Sequence, residues 1–61
     1  MLKGIKIGDT TYSVDKITQV IMENGMVLVR VIEKESANER IERTQYARFQ
    51  DVEFISDKDG G

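Results

Sequence analysis

The chain has 61 residues, nine Lys and Arg against eleven Asp and Glu, and a net charge of -2. It contains no His, Cys, Pro or Trp. That excludes the commonest general base, thiolate nucleophiles, disulfide staples and histidine- or thiolate-held metal centres. A chain this short supports one domain with a core of marginal size.

The first segment alternates. Ile5 and Ile7 flank Lys6, Gly8-Asp9 supplies a two-residue turn, and residues 11–14 resume the strand pattern. With Gly8 and Asp9 as the loop, Ile7 faces Thr10 and Ile5 faces Tyr12. Ile5, Ile7, Tyr12 and Val14 then share one face, and Lys6, Thr11 and Ser13 the other.

The second segment carries the strongest local signal. Residues 17–22 have a strand pattern, Asn24-Gly25 is the preferred type I′ pair, and residues 26–33 are rich in β-branched and apolar side chains. A two-residue turn sets Met22 opposite Val27, Val20 opposite Val29, and Thr18 opposite Val31. Val20, Val27, Val29 and Val31 are therefore the expected core face, with Ile5, Ile7 and Phe54 packed against it. The opposite face carries Ile17, Ile21, Met26, Leu28 and Ile32, interrupted by Gln19, Glu23 and Arg30. A one-layer antiparallel sheet would show a cleaner polar face.

Residues 34–50 admit two readings. Ser36 to Glu39 has capping-box spacing, and Glu39 with Arg43 is a favourable i,i+4 pair, which suits a helix near residues 37–49. Its apolar stripe would be broken by Asn38, Glu42, Gln45 and Arg48, leaving little to bury. The preferred reading is a polar loop, a strand over about residues 40–44, one short turn through Tyr46 and Phe49, and a closing strand over residues 52–55. Residues 1–55 then form a single β-rich domain, with residues 56–61 as a flexible polar tail.

This order of features resembles that of a small SH3-like barrel: an opening strand ending in Gly8-Asp9, two long central strands about a tight turn, then a strand, a one-turn segment and a short closing strand. The resemblance is one of layout and covers residues 3–55. It implies an all-β domain, either a small barrel or a strongly bent antiparallel sheet of about five strands. An α+β fold with one helix over residues 37–49 is the alternative. The aromatic cluster of peptide-binding SH3 domains is missing, since only Tyr12 and Tyr46 are present besides Phe49 and Phe54. Proline-peptide recognition requires such a groove, so that function does not carry over.

Candidate sites are few. Glu39 with Glu42, or Asp51 with Glu53, could do acid–base work, but each pair sits among cations in a solvated stretch with no depth to shift a pKa. The chain is expected not to be an enzyme. Asp51, Glu53, Asp57 and Asp59 lack the turn glycine and spacing of an EF-hand loop, so neither metal nor cofactor is expected. Gly4, Gly8 and Gly25 are isolated and form no phosphate loop, and Gly60-Gly61 reads as a flexible end. Arg30, Arg40, Arg43 and Arg48, with Tyr46 between two of them, have the charge–aromatic interleaving used on single-stranded nucleic acid. Glu33, Glu35, Glu39 and Glu42 offset them, and phosphate binding depends on uncancelled cations. Nucleic acid is therefore disfavoured as a partner.

The longest wholly apolar run, residues 26–29, is too short to span a bilayer, and no apolar leader segment is visible. The expected location is the cytoplasm of a bacterial cell or of a phage-infected host. The expected function is a non-catalytic protein-interaction module, of the kind found among bacterial and phage accessory proteins and inhibitors, with no identified protein partner. Self-association as a symmetric dimer through Ile17, Ile21, Met26, Leu28 and Ile32 is expected. The alternatives are a nucleic-acid-binding barrel using Arg30, Arg40, Arg43, Tyr46 and Arg48, and a protein that sequesters a small ligand or nucleotide.

Overall fold

The computed structural model describes residues 1–57, in six strands and two 3₁₀ turns. The strands are β1 (Leu2–Ile7), β2 (Thr10–Ser13), β3 (Ile17–Glu23), β4 (Met26–Glu35), β5 (Arg40–Arg48) and β6 (Val52–Ser56). The 3₁₀ turns, Val14–Lys16 and Phe49–Asp51, each connect one sheet to the other. The fold is all-β, and no α-helix occurs among the described residues. It is neither a closed barrel nor one bent sheet. Two three-stranded antiparallel sheets form, in the orders β2-β1-β6 and β3-β4-β5.

Both hairpin registers follow from turn chemistry. Gly8 takes φ +62° while Asp9 does not turn positive, the pattern of a type II′ turn, and Ile7 faces Thr10 with Ile5 opposite Tyr12. Asn24 (φ 52°) and Gly25 (φ 78°) both lie in the left-handed region, as a type I′ turn requires, and they set Met22 opposite Val27 and Val20 opposite Val29.

Beyond that point the pairing shifts. A bulge between Ile17 and Gln19 places Ile17, rather than Thr18, opposite Val31. Because side chains alternate in a strand, one inserted residue reverses the faces beyond it. Ile17 consequently turns inward and packs on the core, and Thr18 is exposed, its Oγ1 lying 3.2 Å from the Arg30 carbonyl oxygen. A second bulge, between Ile32 and Lys34, leaves Glu33 without a residue opposite it in β5.

Residues 40–48 form one continuous strand rather than a helix or a strand ending at 44. The short turn falls at Phe49–Asp51, three residues later than Tyr46. The ladder with the ten-residue β4 runs along the whole of β5 and turns Gln45 and Ala47 toward the core, whereas a helix with a broken apolar stripe would have little to bury. The Phe49 N–H donates to the Gly25 carbonyl at 2.7 Å, tying this turn to the central hairpin.

The core consists of Ile5, Val27, Val29 and Val31, with Ile7, Tyr12, Ile17, Val20, Val52 and Phe54 packed around them. Ile5 sits between Tyr12 on β2 and Phe54 on β6, so β1 is the centre of the sheet that covers the inner face of β3-β4-β5. Full burial of a Val or Ile side chain is worth about 1.5–3 kcal/mol. Val14, expected on the same face, lies instead in the first 3₁₀ turn and is exposed. Gly4 is buried on β1 opposite Ser13 of β2, and a Cβ there would stand 2.7 Å from the Tyr12 carbonyl oxygen. The last strand extends to Ser56, and the Asp57 N–H donates to the Met1 carbonyl at 2.8 Å. The remainder of the expected tail, residues 58–61, lies outside the described residues.

Candidate interaction surface

The outer face of β3-β4-β5 is built by the side chains that alternate with Val20, Val27, Val29 and Val31. Read across the sheet, it forms ordered rows. Ile21, Leu28 and Tyr46 face one another on the three strands, and Glu23, Met26 and Arg48 form the row nearer the Asn24-Gly25 turn. Gln19, Arg30 and Thr44 form the next row on the other side, and Ile32 faces Glu42 beyond it. The row Ile21–Leu28–Tyr46 is therefore apolar and is extended toward the turn by Met26 between the charged Glu23 and Arg48, while the other half is mostly polar.

The apolar half is open. Ile21 is 39% exposed, Met26 41% and Tyr46 67%, and these residues with Leu28 line a depression of about 360 Å³, with Glu23 and Asn24 at its rim. Of the five residues expected to form an apolar patch, Ile21, Met26 and Leu28 meet here. Ile32 is half-buried at the polar end, and Ile17 belongs to the core. Tyr46 completes the patch, although its sequence neighbours suggested a place among the arginines. Its membership is visible only once β5 is registered on β4, because it depends on Tyr46 standing opposite Leu28.

The arginines do not converge. Arg30 and Arg40 share Glu42 at 4.0 and 3.2 Å, while Arg48 pairs with Asp51 at 3.6 Å, three residues on. Arg43 alternates to the other side of β5, where its guanidinium meets the bulged Glu33 at 3.0 Å. All these pairs are about a third or more open to water, where such contacts add little stability. Their effect is to pair each of these cations with a carboxylate.

Among the described residues, the Asp15 carboxyl is held below its usual value, chiefly by a hydrogen bond donated from the Ser13 hydroxyl. No group of three or more metal-ligating side chains occurs among the described residues, and none of their helices is long and apolar enough to cross a membrane.

No protein-family model, curated protein or solved structure matches the chain.

Proposed function

We propose that this protein is a non-catalytic interaction module that pairs with a second copy of itself through the outer face of β3-β4-β5. The observation that carries this reading is the cross-strand row Ile21–Leu28–Tyr46, extended by Met26, on a sheet face with no layer above it. The molecule measures 39 × 33 × 19 Å, and 19 Å accommodates two stacked sheets about 10 Å apart with their outer side chains but no third layer.

A two-fold axis over the Leu28 row would bury the same residues on both copies, the isologous arrangement favoured by identical chains.

The layout also supports an SH3-like reading. A hairpin precedes a three-stranded meander, and a one-turn segment leads into a closing strand that pairs with the first. The nucleic-acid reading is weaker. Arg30, Arg40, Arg43 and Arg48 each have a carboxylate within 4.0 Å, and cations already compensated release fewer counterions from a phosphate backbone.

Sedimentation equilibrium at about 50 µM protein tests the proposal. The expected species has twice the 7.0 kDa chain mass. Tyr46→Glu and Ile21→Lys, both at exposed positions, should each return the protein to one copy while preserving its circular dichroism spectrum. A parent that sediments as a single 7.0 kDa chain overturns self-association. So does a dimer indifferent to both substitutions.

A further inference from the structure

A second concavity draws its lining from both sheets and shares none of Ile21, Met26, Leu28 and Tyr46 with the interaction surface. It opens where the two sheets meet and has a volume of about 320 Å³, at the lower end of the roughly 300–1,000 Å³ typical of small-molecule pockets. β2 supplies one wall through Thr11, Tyr12 and Ser13, the first 3₁₀ turn adds Lys16, and Val31, Ile32, Glu33 and Arg43 come from β4 and β5.

Its chemistry is asymmetric. Two cations and one carboxylate line it, and that carboxylate, Glu33, is bound to a single nitrogen of Arg43, Nη1. A guanidinium has five N–H donors in a planar fork, so Arg43 keeps donors to offer while Glu33 fixes its position. Lys16 forms no salt bridge within 4 Å among the described residues, although its charge helps hold the adjacent Asp15 carboxyl below its usual value, and the Thr11 hydroxyl has no hydrogen-bond partner among them. The neighbouring carboxylate, Asp15, is not part of the lining and already accepts the Ser13 hydroxyl. The remaining surface is apolar or aromatic: buried Val31 at the floor and the half-buried Tyr12 on the wall.

From this arrangement we infer that the cleft binds a small organic anion. Its carboxylate or phosphate-ester head lies between Lys16 and Arg43, and its flat apolar body rests on Tyr12 and Val31. A single engaged carboxylate makes the cleft a poor seat for a divalent cation, which takes several oxygen ligands. A neutral apolar ligand would leave the two cations unused. The bulge in β4 is what makes the site: it frees Glu33 from the ladder so that it can hold Arg43. The inference is independent of self-association, since the outer-face rows contribute none of Thr11, Tyr12, Lys16 or Arg43.

Two-dimensional amide NMR of the full chain tests it, with phenyl phosphate, benzoate, inorganic phosphate and benzyl alcohol as probes. Phenyl phosphate or benzoate should cause saturable shifts confined to Thr11, Tyr12, Ser13, Lys16, Val31 and Arg43, with a Kd of about 1 mM or tighter. Whichever of the two binds more tightly identifies the head group. Inorganic phosphate and benzyl alcohol, each lacking one half of the ligand, should bind at least about tenfold more weakly. Lys16→Gln and Arg43→Gln are each expected to weaken binding about tenfold with the rest of the spectrum unchanged. No saturable shift with either organic anion, shifts on the Leu28 face instead, or binding unaffected by both substitutions would overturn the inference. Inorganic phosphate binding as tightly as phenyl phosphate would remove Tyr12 and Val31 from it.

Discussion

Leu28 and Val29 are consecutive residues of β4, yet they belong to different worlds. Val29 is completely buried under the β2-β1-β6 sheet, whereas Leu28 is half-buried on a face with no covering layer. Both faces of β3-β4-β5 carry apolar side chains toward the turn, and only one is covered within the chain. The contrast shows that apolarity alone does not make a core in so short a chain. The second sheet can cover one face, and the other face is left without a layer above it.

The sharpest way to break this contrast is to truncate the two neighbours separately. Val29→Ala should cost about 2–3 kcal/mol through lost burial and the cavity left behind, which lowers Tm by roughly 10–20 °C in a domain of this size. Leu28→Ala should cost the isolated chain less, about 1–2 kcal/mol, because that side chain is only partly buried in a single copy. Thermal denaturation at low protein concentration compares them. Equal losses would mean that the two faces are equally covered.

A second test concerns the covering sheet. Gly4→Ala would drive a methyl group to within 2.7 Å of the Tyr12 carbonyl oxygen, a rigid backbone atom. The forced separation of β1 from β2 should cost about 1–3 kcal/mol and loosen the lid over Val29. An alanine variant melting with the parent would show that β1 and β2 can part freely. The third substitution sharpens the contrast at its origin, the turn that decides which residues face inward. Gly25 has open space around it but a φ of 78°. Gly25→Val therefore introduces backbone strain without a clash, and the expected loss is about 1–2 kcal/mol. A loss of that size with Met22 still opposite Val27 in the NMR contact pattern confirms a conformational rather than a packing cause.

Local chemistry made part of this legible. Gly8-Asp9 and Asn24-Gly25 announce their turns, and each turn fixes several pairs on either side, so Ile5, Val27, Val29 and Val31 were identifiable as core. The two bulges were not. A bulge answers to the twist of the whole sheet, and nothing in Ile17-Thr18-Gln19 marks the slip that sends Ile17 inward. The site was legible in halves. Ile21, Met26 and Leu28 could be grouped by alternation within one hairpin, but Tyr46 joins them only through the β4–β5 register. The cleft was not legible at all. Thr11, Lys16, Glu33 and Arg43 meet through the angle between two sheets, which no short-range pattern encodes.

The pairing of β1 with both β2 and β6 has a consequence for the order in which the molecule assembles. β3, β4 and β5 form a meander of neighbouring segments that can zip locally, whereas Ile5 meets Phe54 only when almost the entire chain has been drawn together. Contacts between distant segments carry the larger loop-closure penalty and form late. The closing strand should then be absent from the folding nucleus. Phe54→Leu should accelerate unfolding about fivefold per kcal/mol lost while leaving the refolding rate near that of the parent. In stopped-flow measurements, a slower refolding limb would instead place β6 in the nucleus. The late closure leaves the inner faces of β4's valines transiently bare, so the moment of greatest exposure to misassembly comes after the central sheet exists and before β6 arrives.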